Sequence, residues 1–320
     1  MKTYYNKNDL GKSFGLAVGA MLLLQLALSL VFARFYNAET GQFADWAYWT
    51  LQTIYALGLG SMSIVYAKIT KTNMLTACKV QQKPPLAHIG WGCLATLFLV
   101  CCMLPINEWF LDLFELIGLK RPTTDMPMNL PTNVLLPLML FVVCVIPAVT
   151  EEFLFRGTIS ASVEGKTNKL AALSICGALF ALFHLSAAQT VHQFVLGAFL
   201  ALLFFRSGSI WTTVCVHFFN NLLAVTLMFT VNENIFVGKY GWVFALVGAV
   251  GFAGSVVGYL FTTKSKWGRK VTAKADQTAA DDEENGITEL QQEKTTVKSI
   301  VLLVGAIAVC LTLWILGLFA

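Results

Sequence analysis

The chain has 320 residues, of which 57% are hydrophobic and only 12% are charged, and its mean hydropathy is +0.68. Soluble domains contain about 25% charged residues, so this composition excludes an ordinary soluble protein. The net charge of +4 is small, and the basic residues lie in loops beside apolar stretches, where anionic lipid headgroups would meet them. A nucleic-acid partner is therefore not indicated.

Apolar stretches of about 20 residues recur along the chain, and each is long enough to cross a bilayer core of about 30 Å. Backbone polar groups in lipid must be paired within their own element, and no alternating pattern of barrel strands is visible. The predicted fold is therefore an all-α, polytopic transmembrane helix bundle. The nine predicted spans cover approximately residues 13–35, 45–67, 88–106, 133–156, 169–187, 191–205, 210–231, 240–262 and 298–320.

The loop charges predict the orientation of the bundle. Lys and Arg are concentrated before the first span and after spans two, four, six and eight, whereas the alternate loops are mainly acidic. Lys120 and Arg121 are the main exceptions. The positive-inside rule then places the N-terminus in the cytoplasm. The apolar core of the first span is longer than that of a signal peptide, so we expect a retained anchor.

The predicted spans divide the chain into three parts. Residues 1–262 form an eight-span membrane domain with a candidate catalytic core at 133–231, and residues 107–118 are interpreted as a segment along the outer interface. Residues 263–297 form a charged cytoplasmic linker, and 298–320 an additional C-terminal helix. The expected location is an integral, multi-pass position in the membrane, which is the cell membrane for a bacterial source. The oligomeric state is left open.

The fourth predicted span ends in two adjacent carboxylates. Glu152 and Arg156 are four residues apart and share a helix face, so they can form an ion pair, whereas Glu151 is rotated by about 100° and lacks that partner. A charge near a helix centre costs about 2.5–3.5 kcal/mol on insertion scales. Pro147 removes a helical hydrogen bond and predicts a kink. The structural alternative is an interfacial charge cluster that closes the span.

Polar side chains also interrupt spans five and seven. A lone histidine such as His184 is more often a packing residue than a catalytic one. His217 and Asn221 are four residues apart on one face, and a hydrogen bond worth about 0.6 kcal/mol hardly offsets placing both in lipid. His192 and His88 begin spans six and three, and we interpret them as packing or headgroup-binding residues.

Together these residue types match peptide hydrolysis by an activated water molecule. Glu151 and His184 can hold and deprotonate the water, while His217 and Asn221 can donate hydrogen bonds to the oxyanion. No serine or cysteine nucleophile with an adjacent base is apparent in the sequence, which favours direct attack by water over an acyl-enzyme.

Three motifs in order resemble those of the CPBP intramembrane proteases, which include the CAAX prenyl proteases and the bacteriocin-processing Abi proteins. The resemblance covers roughly residues 133–231. The motifs are Glu151-Glu152-x-x-x-Arg156, continued as Phe155-Arg156-Gly157, then Phe180-x-x-x-His184, and His217-x-x-x-Asn221 with the lead-in Ser207–Trp211.

The resemblance implies an endopeptidase that cleaves a membrane-associated peptide or protein. Glu151 would be the catalytic glutamate and His184 would help to bind the water. His217 and Asn221 would stabilise the oxyanion, with Glu152 and Arg156 bracing the site. Prenylated tails and leader or signalling peptides both remain open as substrates.

The resemblance leaves the cofactor open, because the family has been described both as metal-dependent and as metal-free. By spacing, Glu151, His184 and His217 could ligate Zn²⁺ as a His₂Glu set. We expect no metal. Glu151 would then have to be the base and not a ligand, and Asn221 beside His217 suits an oxyanion donor better than a zinc ligand.

One geometric requirement accompanies this hypothesis. Glu151 lies near the predicted end of its span, whereas His184 lies about 22 Å along a helix from Lys169. For the two side chains to meet, the fifth helix must begin outside the hydrocarbon, tilt or kink.

Two other classes of function are compatible with the composition. A non-catalytic immunity or scaffolding protein could sequester a peptide, although it would not need the complete set of polar residues. A proton-coupled transporter would use intramembrane Glu and His as a relay, but the chain lacks the visible repeat that marks many carriers.

Overall fold

The computed structural model describes residues 2, 4–37, 42–119, 126, 128–230, 238–267 and 296–318. Most of the predicted linker at 263–297 lies outside the described residues, as do Lys120 and Arg121. The predicted orientation of the N-terminus stays a prediction.

The described chain is a bundle of helices. A hairpin of two-residue antiparallel strands, β1 (Tyr36–Asn37) and β2 (Gln42–Phe43), follows the first helix. The helices are α1 (Lys7–Phe32), α2 (Asp45–Thr70), α3 (Met74–Ala77), α4 (Leu86–Leu116), α5 (Thr132–Met139), α6 (Ile146–Leu154), α7 (Ala161–Val163), α8 (Lys169–Phe183), α9 (Thr190–Ser207), α10 (Ile210–Thr230), α11 (Gly241–Thr262) and α12 (Val297–Leu316).

Seven helices of the described chain are long and apolar enough to cross a membrane. The protein is therefore an integral, multi-pass membrane protein with an all-α bundle, as predicted. Helix α2 is not among the seven, because Thr, Ser, Gln and Tyr side chains dilute its apolar character. Helix α8 is also apolar but has only 15 residues. The count of nine spans stays a prediction.

Helices α5, α6 and α7 form one rod, Thr132–Val163, which we call the interrupted helix. Two π-helical segments, Leu140–Val145 and Phe155–Ser160, separate its α-helical parts. Pro147 follows the first of them, at the start of α6, and such local rearrangements accommodate a missing N–H donor. The predicted end of this span at residue 156 is wrong, because the rod continues to Val163.

The predicted interfacial segment at 107–118 is also wrong as a separate element. Helix α4 continues through Pro105 without interruption and ends at Leu116. The acidic positions of the segment therefore lie in the last turns of this helix, and their placement at the outer interface stays a prediction.

The C-terminal helix α12 packs into the bundle against α1 and α8. The Ser299 hydroxyl donates a 2.8 Å hydrogen bond to the Asn8 carbonyl, and the Trp314 indole donates a 2.8 Å bond to the Thr190 hydroxyl. Ala306 and Cys310 join the main hydrophobic cluster. The additional helix predicted at 298–320 thus shares the core of the preceding helices.

The contact between α4 and α11 yields a stability prediction. A Cβ on Gly248 would meet the backbone of Cys102 and would lie 2.7 Å from the Phe98 carbonyl oxygen, so Gly248→Ala must push the helices apart. We expect a loss of about 1–3 kcal/mol in unfolding free energy, the usual cost of overpacking. Thermal unfolding in detergent measures it.

Gly254→Ala is the matched control on the same helix, because a Cβ there has nothing within 4 Å. Alanine is the better helix former by about 0.8–1.0 kcal/mol, so the control should be neutral or slightly stabilising. Equal melting temperatures for the two variants would contradict the close helix contact.

Candidate active site

The polar residues singled out in the sequence come from three elements. Glu151 and Glu152 lie in α6 within the interrupted helix, His184 caps the C-terminus of α8, and His217 and Asn221 lie one turn apart in α10. The main hydrophobic cluster surrounds them with side chains from α4, α8, α9 and the interrupted helix.

The lengths of two neighbouring elements explain how Glu151 and His184 meet. Glu151 lies about 18 Å before the end of the interrupted helix at Val163, and His184 lies about 22 Å beyond the start of α8 at Lys169. Since a short turn joins the two ends, both side chains reach a similar depth. The extension to Val163, which the sequence reading missed, meets the geometric requirement.

Glu152 binds two partners inside the protein. Its Oε1 lies 2.9 Å from Nη1 of Arg156, and both side chains are at most 1% exposed. The same oxygen lies 2.8 Å from Nδ1 of His217. The predicted Glu152–Arg156 pair is therefore present, but it lies in the core rather than at an interface. Its link to His217 on α10 could not be seen in the sequence.

The Arg156 guanidinium has further contacts that hold it in place. Its Nη2 donates a 3.2 Å hydrogen bond to the carbonyl of Gly197 in α9, and the group lies 4.6 Å from the ring centre of Phe180. The Phe180 ring also packs edge-on against His184 and His217, at 4.7 and 6.0 Å between ring centres. Phe180 thus separates the charged pair from His184 and orients both imidazoles.

Glu151 faces both histidines without touching them. Its Oε2 lies 3.9 Å from Nε2 of His184 and 4.0 Å from Nε2 of His217. Within the described chain this oxygen makes no hydrogen bond. The Glu151 side chain is 26% exposed, against 0% for Glu152. Adjacent carboxylates therefore have different surroundings: the Glu152 side chain is fully buried, whereas that of Glu151 is partly exposed although its Oε2 is buried.

Hydrogen-bond partners fix which histidine nitrogens face Glu151. Nδ1 of His184 lies 2.8 Å from the Phe180 carbonyl, which can only accept, so this nitrogen carries a proton. Nδ1 of His217 likewise meets the Glu152 carboxylate at 2.8 Å. Both Nε2 atoms are thus directed towards Glu151, and each presents a lone pair when its ring is neutral.

Asn221 hydrogen-bonds to its neighbours. Its Nδ2 donates a 3.0 Å bond to the Val143 carbonyl, and its Oδ1 accepts a 3.0 Å bond from Asn220. Asn220 in turn lies 3.2 Å from Nε2 of His192. His192 therefore has a packing contact within the protein, which is one of the two roles expected for it. In the sequence, the adjacent asparagines Asn220 and Asn221 were the one signal of these hydrogen bonds.

The histidine at the start of span three has a structural contact of its own. Nδ1 of His88 lies 2.9 Å from the Tyr259 hydroxyl, and the two rings pack edge-on. This contact ties α4 to α11, which agrees with the packing role expected for His88.

Residues 133–223 match the family model of the Rce1-like type II CAAX prenyl endopeptidases. This match confirms the resemblance to the CPBP proteases over the segment that carries the three motifs, and it supports an endopeptidase activity within the membrane. No curated protein and no solved structure matches the chain.

Proposed function

We propose that this chain, which carries a CAAX protease segment at residues 133–223, is a metal-free intramembrane endopeptidase in which Glu151 activates a water molecule. The substrate is a membrane-associated peptide or protein that reaches Glu151 from the bilayer. The observation that carries the proposal is the approach of both Nε2 atoms to Glu151, at 3.9 and 4.0 Å from its Oε2.

These separations suit one bridging water. They are too long for a direct hydrogen bond, which spans about 2.7–3.2 Å, and a water with two bonds of about 2.8 Å would join these atoms at an angle of about 90°. The unpartnered Oε2 of Glu151 then accepts one water proton, and Nε2 of His184 is available for the other. Glu151 is the base.

The reaction then proceeds without a covalent enzyme intermediate. As Glu151 removes a proton, the water oxygen bonds to the peptide carbonyl carbon and the carbonyl oxygen becomes an oxyanion. When the oxyanion collapses, the C–N bond breaks, and Glu151 returns the proton to the leaving amine. The products are a carboxylic acid, which keeps the second water proton, and an amine; a proton passes between them to give carboxylate and ammonium, and the enzyme regains its initial state.

His217 and Asn221 are the proposed donors to the oxyanion. Nδ1 of His217 is already protonated by its bond to Glu152, so donation from Nε2 requires the imidazolium form. Glu152, whose Oε1 lies 2.8 Å from Nδ1 of His217, therefore orients this donor in addition to forming its ion pair with Arg156.

A zinc enzyme is the second candidate. The Nε2 atoms of His184 and His217 and the Glu151 carboxylate are a fitting set of ligand types, and each Nδ1 donates to an oxygen, as in many histidine-ligated metal sites. Bound zinc would supply a Lewis acid that polarises the water. Ligands on a tetrahedral zinc are about 3.4 Å apart, whereas these separations are 3.9 and 4.0 Å. We favour water because zinc would use Glu151 as a ligand, whereas the metal-free route leaves Glu151 as the base.

The purified protein in detergent tests the proposal with a peptide library that includes a prenylated tail and the same peptide without the lipid. We expect cleavage that persists in excess 1,10-phenanthroline. Complete loss of activity with the chelator, restored by Zn²⁺, would favour the zinc enzyme. Peptide binding without products would favour the scaffolding alternative. Proton flux in liposomes that depends on Glu151 would favour a transporter.

A further inference from the structure

We propose that His192 and Asn220 are positioning residues that, together with the Val143 carbonyl, fix the direction in which Asn221 presents its side-chain amide. This inference deepens the proposed function and rests on it, since Asn221 is there a donor to the oxyanion. Neither His192 nor Asn220 touches the reacting atoms in this account. They act through Asn221.

The arrangement begins at a carbonyl that lacks an α-helical donor four residues later. The residue four positions after Val143 is Pro147, which has no N–H, so the ordinary α-helical bond to the Val143 carbonyl cannot form. Val143 lies in the π-helical segment Leu140–Val145 just before α6, where a backbone bond would have to come from five residues later. The side chain of Asn221 donates to this carbonyl at 3.0 Å.

This bond sets the orientation of two amides. A carbonyl only accepts, so Asn221 must turn its NH₂ group towards Val143 and its Oδ1 away. Asn220 must then donate to that Oδ1, as it does at 3.0 Å. The Oδ1 of Asn220 is left as an acceptor, and Nε2 of His192 meets it at 3.2 Å. His192 must therefore carry its proton on Nε2.

The direction matters because an amide has two N–H groups. One N–H of Asn221 is used by Val143, and the second remains for the oxyanion. If Asn221 were flipped, its Oδ1 would face the Val143 carbonyl and two acceptors would repel each other. It would also turn an oxygen towards a developing negative charge. The series of hydrogen bonds from His192 to the Val143 carbonyl disfavours the flipped orientation of the Asn221 amide.

The four residues join three elements around the candidate active site. His192 belongs to α9, Asn220 and Asn221 to α10, and Val143 to the interrupted helix. Asn220 is 6% exposed, so water cannot easily replace a lost partner. A change at His192 in α9 should therefore reach the oxyanion donor on α10 through hydrogen bonds alone.

The test compares two substitutions of His192 by steady-state cleavage of the library peptide that the wild type cuts best. Phenylalanine keeps a ring but has no donor, whereas the Nε2 of glutamine can replace the Nε2–H of histidine. We expect His192→Phe to lower kcat about tenfold with KM within twofold, because a misdirected oxyanion donor weakens transition-state binding. His192→Gln should restore most of kcat.

A double variant separates positioning from general damage. Asn221→Ala alone should lower kcat by about 10²-fold, as for the loss of one oxyanion donor. If His192 acts through Asn221, adding His192→Phe to Asn221→Ala should cause no further loss of kcat. Full additivity of the two losses, or equal kcat for His192→Phe and wild type, overturns the inference.

Pro147→Ala tests the same series of hydrogen bonds at the Val143 carbonyl, opposite to His192. The new N–H can donate to the Val143 carbonyl and compete with Asn221, so kcat should fall, but not in the Asn221→Ala background. An unchanged kcat overturns the proposed competition.

Glu151→Gln distinguishes a failure of the proposed function from a failure of this inference alone. If it cleaves as the wild type does, the proposed function fails and this inference fails with it. If it is inactive while His192→Phe is normal, only this inference fails.

Discussion

We expect Glu151→Gln to lower the rate of peptide cleavage by at least about 10³-fold, without loss of folded protein. Glutamine has nearly the same shape but cannot take a proton from water, and general base catalysis alone contributes about 10²–10⁴-fold. Since Oε2 of Glu151 makes no hydrogen bond within the described chain, its replacement breaks no structural contact there. Product formation followed by mass spectrometry measures the rate.

Glu164→Gln is the matched control, because it makes the same chemical change in a carboxylate outside the candidate active site. Glu164 pairs with Lys79 at 2.7 Å, and both side chains are partly exposed. Its loss should leave the cleavage rate within about twofold, because the pair lies outside the candidate active site. Equal rates for wild type and Glu151→Gln would contradict the proposed base.

The second large effect is expected on stability. Arg156→Met should lower the free energy of unfolding by about 3–5 kcal/mol, because it leaves the Glu152 carboxylate buried without its cation. Both side chains are at most 1% exposed, so solvent cannot compensate. The thermal midpoint in detergent should fall, and cleavage should fall as well, since Glu152 also holds His217 at 2.8 Å.

Two further variants sharpen this prediction. Arg34→Met makes the same substitution at an exposed site, where the guanidinium lies 4.6 Å from the Phe35 ring centre, and we expect a change within about 1 kcal/mol. The double variant Glu152→Gln/Arg156→Met should be more stable than Arg156→Met alone, because no buried charge is left unpaired. A double variant that is less stable than the single one would show that the ion pair is not the cause.

The sequence predicted those parts of the site that depend on helical spacing. Glu152 and Arg156 are four residues apart, and the resulting ion pair is present. The polytopic helical bundle also followed from apolar length alone. The roles of Glu151, His184, His217 and Asn221 in catalysis remain predictions, although the first three approach one another.

The errors arose where buried polar residues looked like a loop. Residues 156–163 contain Arg, Gly, Thr and Ser, which suggested the end of a span. They continue the helix instead, because other helices rather than lipid surround them, and Ser160 and Ser162 are at most 1% exposed. Hydropathy cannot distinguish a helix face that meets protein from one that meets solvent.

Contacts between residues far apart in the sequence could likewise not be predicted from the sequence alone. The Glu152–His217 bond joins positions 65 residues apart, and the His192–Asn220 bond joins positions 28 apart. Helical periodicity places side chains on faces of one helix, but it does not say which faces of two helices meet. The π-helical segments, which depart from the ordinary period, were also outside its reach.

The most direct measurement is an experimental structure of the wild-type protein in lipid, at a resolution that shows ordered water. The account predicts one water within about 2.6–3.2 Å of both Oε2 of Glu151 and Nε2 of His184, with Asn221 presenting a free N–H to the same space. A metal ion at that position, or a Glu151 side chain turned away and bonded to another protein group, would contradict it.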